Sequence, residues 1–267
     1  MICYLINLDR HAERRARMEA HGRAIGLTFE RVAAVDAAET PGGVLAAARS
    51  ATPGAYHLSD PEVACTLSHR IAWRRFLDTS EPYAAIFEDD VTIAPVAAHL
   101  LARTGWIPAD ARLVKLETFR HRVIVSSAVT RVDGLALRRL ASLHFGTAGY
   151  ILDRAAAALL LAVSERLTVS TDNIVFQLAP FRKPRLVTYQ LDPAVVVQMG
   201  RFMRDTAPAY LASSVPRGTP RFEKRKGLGK LAREIARPVE QLARFAVGPL
   251  PAYALGYRPK RVPFLGG

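Results

Sequence analysis

The sequence has 267 residues, and 50% of them are hydrophobic, which is enough for a sizeable core and excludes a disordered protein. The net charge of +13 and the isoelectric point of about 10.3 favour, by themselves, a nucleic acid or an anionic membrane as partner. However, residues 201–267 carry 14 Lys and Arg against 4 acids, a net of +10, which leaves +3 for residues 1–200. The basic character therefore belongs to the last quarter of the chain.

The two cysteines, Cys3 and Cys65, lie in apolar runs far apart in the sequence. This is typical of free core thiols, not of a disulfide framework or a zinc site, and indicates a reducing compartment. The start MICYLINLDR shows no basic leader or cleavage site, and the longest apolar run, residues 155–163, is shorter than the roughly 20 residues of a membrane span. We expect a cytoplasmic protein without a transmembrane helix.

Apolar strands alternate with helical patterns up to about Gln198, which predicts an α/β fold with a mostly parallel central sheet flanked by helices. One helix is predicted to begin at Ser59, with Glu62 as its capping-box partner. We place a boundary near residue 200, between a sheet domain (residues 1–200) and a basic, Pro- and Gly-containing C-terminal extension (residues 201–267).

The predicted elements are, in chain order, the strand ICYLINL, the helix RHAERRARMEAHGRAIG, the strand TFERVAAVD, the helix SDPEVACTLSHRIAWRRFL, the strand YAAIFEDD, a helix over residues 96–103, the strand ARLVKLE, a hairpin within residues 120–140, the strand-to-helix passage HFGTAGYILDRAAAALLLAV and the strand AVVVQ.

The segment YAAIFEDDV places three carboxylates directly after an apolar strand. Since side chains alternate along a strand, Glu88 and Asp90 share one face and Asp89 points to the other. Two carboxylates at the C-terminal end of a strand suit Mg²⁺ or Mn²⁺, which take further ligands from substrate phosphates. An acidic loop start or a helix N-cap is the alternative, and the apolar runs on both sides favour the metal site.

An ordered set of segments resembles glycosyltransferase family 25, the lipooligosaccharide biosynthesis galactosyltransferases and the related collagen galactosyltransferases. The resemblance covers most of residues 1–200 and does not extend to the tail. The segments are INLDRHAERRARM, FERVAAVDA, EVACTLSHRIAWRRFL, PYAAIFEDDV, LVKLE and GTAGYILDRAAAALL.

The resemblance implies a GT-A-like fold and a metal-dependent, inverting transfer of a hexose, commonly galactose, from a UDP-sugar. The acceptor would be a saccharide or lipid-linked glycan of the cell envelope, such as lipooligosaccharide. Asp90 would be the direct ligand of Mn²⁺ or Mg²⁺, Glu88 a metal or ribose contact, and Asp89 a supporting residue. An ion there would neutralise charge on the departing nucleotide.

Further residues of the donor site follow from the resemblance. The arginines among them can bind phosphate oxygens or a uracil carbonyl, or they only solvate a helix surface. The Ser-His pair would contact the donor or shape the site, with a purely structural hydrogen bond as the alternative. These residues are Asn7, Leu8, Arg14, Arg15, Ser68 and His69.

An inverting transfer needs a carboxylate to take the proton from the acceptor hydroxyl. By its position at the start of a helical segment and by the resemblance, Asp172 is the predicted catalytic base, and a helix N-cap is the alternative. Asp153 is the weaker rival.

The passage HFGTAGY and the strand LVKLE carry the remaining candidates. Gly146 lets the backbone approach a ligand, and Thr147 can offer a hydroxyl to a sugar, although close packing explains the glycine equally well. Lys115 and Glu117 share one strand face, where they pair with each other or face the sugar.

Residues 221–247 combine apolar residues at helical spacing with Lys and Arg, interrupted at Pro238. Such an amphipathic helix suits peripheral contact with the anionic inner face of a bacterial membrane, or it packs back on the sheet domain. Two other functions stay open. One is nucleic-acid binding through the tail, which the near-neutral first 200 residues disfavour; the other is a glycosyltransferase-like protein without catalysis.

Overall fold

An eight-stranded sheet forms the centre of the protein in the computed structural model, which describes residues 1–49, 58–177, 186–202 and 249–266. The helices of the described residues are α1 (Ala12–Ile25), α2 (Gly42–Ala48), α3 (Asp60–Leu77), α4 (Val96–Leu101), α5 (Arg154–Val163), α6 (Thr171–Gln177), α7 (Met199–Phe202) and α8 (Pro249–Ala254). The strands of the described residues are β1 (Ile2–Asn7), β2 (Glu30–Ala33), β3 (Tyr83–Glu88), β4 (Val91–Ile93), β5 (Leu113–Lys115), β6 (Arg122–Ser126), β7 (Thr130–Val132), β8 (Leu135–Arg139), β9 (Gly149–Asp153), β10 (Thr188–Asp192), β11 (Val196–Gln198) and β12 (Tyr257–Arg261).

The strands of the main sheet lie in the order β2-β1-β3-β9-β5-β10-β8-β7. Six of the eight run in the same direction, and β9 and β8 run opposite to them. Because β9 lies between β3 and β5, and β8 between β10 and β7, only three of the seven neighbouring pairs are parallel. The predicted α/β class is confirmed, and the sheet is mostly parallel in strand direction but mixed in its pairing.

The C-terminal ends of β1 and β3 meet at one edge of the sheet. The two strands are parallel neighbours, with Ile6 opposite Glu88 in the register. After the turn at Asp89 and Asp90 the chain enters β4, which pairs with β11 so that Val91 lies opposite Gln198. Residues from the first strand, the acidic segment and the last strand of the sheet domain therefore converge at this edge.

Side chains that alternate along the central strands pack into two apolar layers, one on each face of the sheet. Cys3 and Leu5 of β1 belong to one buried cluster, together with Met18 of α1. Tyr4 belongs to the other, where α3 contributes the fully buried Trp73. Replacing a buried tryptophan by alanine costs about 3–5 kcal/mol, so we expect Trp73 to be among the most stabilising side chains of α3.

The predicted start of α3 is confirmed. Both the backbone N–H and the hydroxyl of Ser59 donate to the Glu62 carboxylate at 2.9 Å, which forms the capping box with Pro61 in the first turn. This fixed start sets the phase of an 18-residue helix, so that the positions Cys65, Ser68 and His69 face the end of β3.

Some elements differ from the sequence-based prediction. No helix was predicted for the segment of α2, yet it is helical, with Leu45 buried. Strand β10 was not predicted. The predicted hairpin exists as β7 and β8, while β6 pairs with β12 near the end of the chain.

The last described segment packs on the sheet domain. Thr118 Oγ1 donates to the carbonyl of Val262 at 2.6 Å, and Phe264 is buried in the same cluster as Val196. The predicted amphipathic helix at residues 221–247 lies outside the described residues, so the boundary near residue 200 stays a prediction. Among the described residues, none of the helices combines the length and apolarity that a bilayer crossing requires.

Candidate active site

A cleft of about 240 Å³ opens where β1 and β3 end. Its walls are the turn after β1, the segment after β2, one face of α3, the acidic segment and Gln198. Most of the predicted donor and metal residues line this cleft, namely Asn7, Leu8, Arg14, Ser68, His69, Glu88 and Asp90.

Asp89 is already satisfied by protein groups. Its Oδ2 accepts from Asn7 Nδ2 at 2.7 Å, and its Oδ1 accepts from Arg14 Nη1 at 3.1 Å. Arg17 Nη2 donates to the carbonyls of Asp89 and Val91, both at 2.9 Å. Asp89 therefore fixes the acidic turn to β1 and α1, and its supporting role at a metal site stays a prediction.

Glu88 and Asp90 converge on a single atom. Gln198 Nε2 lies 3.3 Å from Glu88 Oε2 and 3.3 Å from each carboxylate oxygen of Asp90. Burial, with the negative charges of Glu88 and Asp89, raises the pKa of Asp90 to about 7, against the opposing effects of Arg14 and Gln198. A bound cation would relieve the repulsion of Asp90 by Glu88 and Asp89.

The other oxygen of Glu88 faces the opposite wall of the cleft. Thr147 Oγ1 donates to Glu88 Oε1 at 2.8 Å, and His69 Nε2 lies 3.4 Å from the same oxygen. Burial acts to raise the pKa of Glu88, but His69, Thr147 and Lys115 outweigh it, so the pKa lies below its usual value. Glu88 is therefore held as a carboxylate. Its Oε1 faces Thr147 and His69, and its Oε2 faces Gln198.

The loop before β9 connects Glu88 to the predicted base. The Gly146 N–H donates to Asp172 Oδ2 over a long 3.4 Å, and the next residue is the Thr147 that binds Glu88. Asp172 Oδ1 accepts from Ser170 Oγ at 2.5 Å and from the N–H of Asn173 at 2.9 Å. Asp172 does not line the cleft, and its role as base stays a prediction.

Several candidates have structural contacts that account for them. Arg15 does not line the cleft; it lies next to Arg14 on α1 but points to the surface, with Nε 3.5 Å from Glu19. Asp153 caps α5 by accepting from the Ala156 N–H at 2.7 Å. This explains Asp153 without a catalytic role.

Ser68 and the strand pair Lys115 and Glu117 also have protein partners. The Ser68 hydroxyl donates to the Ala64 carbonyl at 2.7 Å and accepts from the Val35 N–H at 2.9 Å, which ties a wall of the cleft to α3. Of the two alternatives for the strand pair, the structure shows that Lys115 and Glu117 bind each other.

The sequence reasoning missed several residues that line the cleft. Gln198 stands at the end of the predicted strand AVVVQ, and an amide at a strand end was the available signal. Arg10 pairs with Asp36 across the mouth of the cleft. Cys65 was predicted as a core thiol, and no local pattern distinguished it from Cys3. The missed residues are Arg10, His11, Asp36, Cys65 and Gln198.

The sequence model of glycosyltransferase family 25 (LPS biosynthesis protein) matches residues 1–175. Lacto-N-neotetraose biosynthesis glycosyltransferase LgtE of Neisseria meningitidis serogroup B is 29% identical over 263 residues, covering 89% of this chain and 92% of the relative. LgtB of N. meningitidis serogroup A is 33% identical over 205 residues and 73% of each chain. Lipooligosaccharide biosynthesis protein lic2B of Haemophilus influenzae is 28% identical over 208 residues, 75% of this chain and 77% of the relative.

Proposed function

The chain belongs to glycosyltransferase family 25 and is a glycosyltransferase, and from this premise we propose a GT-A-like enzyme that transfers a hexose from a UDP-sugar, with inversion and with a divalent metal. Galactose is the sugar we assign to the donor. The acceptor is a saccharide of lipooligosaccharide or another cell-envelope glycan, a proposal that the names of the similar proteins support.

The observation that carries the proposal is the convergence of Glu88 and Asp90 on Gln198 Nε2 at the end of β3. The donor set fits Mn²⁺ or Mg²⁺, since both side chains offer hard oxygen atoms. Asp89 is less available as a ligand than Glu88 and Asp90, because each of its oxygens already accepts a hydrogen bond, from Asn7 and from Arg14. Burial, and then the negative charges of Glu88 and Asp89, raise the pKa of Asp90, and a cation would offset the repulsion among these carboxylates.

When bound there, the ion would supply positive charge to the diphosphate of the donor and stabilise the leaving nucleotide. The residues of the chain hold the site in place for that event. Asn7 and Arg14 fix the acidic turn through Asp89, and Thr147 fixes Glu88. The turn after β1 and the segment after β2 form the part of the cleft in which a nucleoside would lie.

Proton removal from the acceptor is assigned to Asp172. Two consecutive residues of one loop support this assignment, because Gly146 contacts Asp172 and Thr147 contacts Glu88. The same loop therefore relates the position of the proposed base to that of the proposed metal ligand.

Calorimetric titration of the purified protein with UDP-galactose and with UDP, each with and without Mn²⁺, tests the donor site. Asp90→Asn should lower the Mn²⁺-dependent affinity roughly tenfold or more, since it removes a charged ligand. Asp133→Asn is the matched control, as Asp133 pairs with Arg103 away from the cleft. Absence of binding to any sugar nucleotide under both conditions would favour the inactive alternative.

A further inference from the structure

A second set of possible ligands lies in the same cleft, on the side away from Asp90. Cys65 and His69 are four residues apart on α3 and so share a face of the helix. A thiol sulfur from Cys65, a ring nitrogen from His69 and a carboxylate oxygen from Glu88 lie within 4.8 Å of one another. The spacing of the cysteines in the sequence disfavoured a zinc site. The third possible ligand, Glu88, lies on β3 and not on α3, so the group becomes visible only in the structure.

The ring of His69 is fixed by contacts behind it. Its Nδ1 lies 2.9 Å from the hydroxyl of Tyr150, which also accepts from Trp73 Nε1 at 2.9 Å. The ring also stacks on that of Tyr150 with a centroid distance of 5.8 Å. These contacts direct Nε2 toward Glu88, and such an outer hydrogen bond is what orients a ligating histidine.

His69 Nε2 is buried and makes no hydrogen bond within the described residues. Its contact with Glu88 Oε1 is 3.4 Å long, and the His69 side chain is 1% exposed. Buried polar atoms are rarely left without a hydrogen bond, and a cation shared by His69 Nε2 and Glu88 Oε1 would satisfy both atoms.

We propose that Cys65, His69 and Glu88 form a binding site for a thiophilic divalent cation, with Zn²⁺ as the test ion, and that occupation of this site inhibits sugar transfer. A sulfur, an imidazole nitrogen and a carboxylate oxygen are the donor atoms that Zn²⁺ prefers, with a fourth position left for water from the cleft. This set differs in chemistry from the oxygen-only pair Glu88 and Asp90.

The distances suit a tetrahedral ion after a small contraction. Zinc–ligand bond lengths imply separations of about 3.3–3.7 Å between neighbouring donor atoms. The 3.4 Å between His69 Nε2 and Glu88 Oε1 lies in that range. The widest separation in the group is at most 4.8 Å, so a movement of about 1 Å completes the site.

Sugar transfer would be inhibited because both proposed metal sites use Glu88. The inhibition rests on the proposed function, whereas the binding of Zn²⁺ does not. Glu88 Oε1 faces His69 and Thr147, whereas Oε2 faces Gln198 on the side of Asp90. A Zn²⁺ ion bound to Oε1 would compete with the hydrogen bond from Thr147 and withdraw charge from the carboxylate. The affinity of the Glu88 and Asp90 pair for Mn²⁺ should therefore fall.

Cobalt provides a direct readout, because a thiolate bound to Co²⁺ gives an intense near-ultraviolet charge-transfer band. The whole chain contains two cysteines, so the band can come only from Cys65 or Cys3. We expect the full-length, reduced and metal-stripped protein to show the band with one Co²⁺ per chain. Cys65→Ser should abolish it, and Cys3→Ser, the matched control in β1, should keep it.

Zinc binding is measured in the same variants by competition with the Co²⁺ band and by calorimetry. Cys65→Ser and His69→Gln should each weaken Zn²⁺ roughly tenfold or more. Alkylation of the wild-type thiols, mapped by mass spectrometry, covers the case in which a variant does not fold; Zn²⁺ should protect Cys65. A missing band, a band that survives in Cys65→Ser, or alkylation of Cys65 unaffected by Zn²⁺ would overturn the proposal.

Asp90→Asn separates the two proposals. It should lose Mn²⁺-dependent binding of UDP-galactose and retain the Co²⁺ band, since Asp90 is not a member of the Cys65 group. A Co²⁺ band in a protein that binds no sugar nucleotide would refute the proposed function alone. Metal-dependent donor binding without the band would refute the zinc site alone.

Discussion

Lys115 and Glu117 form an ion pair of 2.8 Å in which neither side chain is exposed to solvent. Lys115 also donates to the carbonyls of Phe145 and Gly146, and Glu117 Oε2 accepts from the Ala148 N–H at 3.0 Å. The pair therefore holds the loop whose Thr147 binds Glu88. Burial lowers the pKa of Lys115 and raises that of Glu117, so each partner depends on the other to stay charged.

Breaking the pair from one side should be strongly destabilising. Glu117→Gln leaves the Lys115 ammonium without its counter-charge in the core, and we expect a loss of about 3–5 kcal/mol in the free energy of unfolding. The double variant Lys115→Met, Glu117→Leu removes both charges and should recover much of this loss.

Stability and function should separate in that double variant. Its loop has lost the contacts that position Thr147, so we expect weaker Mn²⁺-dependent donor binding in a folded protein. Urea unfolding and calorimetry on the same preparation measure the two effects. Donor binding equal to that of the wild type would show that the pair has no positioning role.

A comparison of two glycines tests how closely the loop is packed. Gly146 and Gly134 both have positive φ, +84° and +80°. A Cβ at Gly146 would clash with Phe119 Cζ and lie 2.8 Å from Glu117 Oε1, whereas at Gly134 it would meet nothing within 4 Å. Gly134→Ala should cost about 1–2 kcal/mol for its backbone alone.

Gly146→Ala carries the same backbone cost plus that of overpacking, about 1–3 kcal/mol more. Thermal unfolding of both variants measures the difference. Equal melting temperatures would mean that Phe119 moves aside without cost. Since Gly146 adjoins Thr147, we also expect Gly146→Ala, and not Gly134→Ala, to weaken donor binding.

The sequence predicted which way the acidic side chains face, because that signal is local. β3 ends at Glu88, so Asp89 and Asp90 lie in a turn and not on the strand as predicted. Their hydrogen bonds nevertheless keep the predicted division, with Glu88 and Asp90 toward Gln198 and Asp89 toward Asn7 and Arg14. The capping box at Ser59 and Glu62 is equally local and is confirmed. Such features depend on spacing within a few residues, which a sequence displays directly.

The contacts that complete the cleft could not be predicted in this way, because they join distant elements. Gln198 reaches Glu88 across 110 positions in the sequence, and Tyr150 reaches His69 across 81. Arg15 and Arg14 looked equivalent on paper, but only Arg14 faces the cleft, since adjacent helical residues point in different directions. The antiparallel insertion of β9 between β3 and β5 is likewise set by the whole sheet.

The amide of Gln198 should tune the affinity for metal. Gln198→Glu adds a third carboxylate beside Glu88 and Asp90, so the free protein should become less stable through like-charge repulsion. Mn²⁺ should bind this variant roughly tenfold more tightly, because a higher ligand charge raises the affinity for hard cations. The melting temperature with and without Mn²⁺ measures both effects. A variant that is destabilised and binds Mn²⁺ no better would place the ion elsewhere.

Acid stability should depend on His144. Burial, and then the positive charge of Lys115, lower the pKa of His144 to about 3, against the opposing hydrogen bond to the Phe145 carbonyl, with a smaller contribution from His121. The rings of Phe119 and Phe176 lie against it. The folded protein therefore holds a neutral imidazole, whereas the unfolded chain takes up a proton near pH 6.5.

The sign of the effect follows from these two values. Stability from His144 is complete above pH 6.5 and is lost as the pH falls toward 3, at about 1 kcal/mol per pH unit. In His144→Gln the side chain does not titrate, so this variant should lose less stability on acidification than the wild type. Asp90 acts in the opposite direction, because its raised pKa makes the folded state take up a proton first as the pH falls. Both proteins contain Asp90, so the difference between their free energies of unfolding, measured by urea at several pH values, isolates the effect of His144. A difference that stays constant from pH 7 to pH 4 would contradict a buried neutral His144.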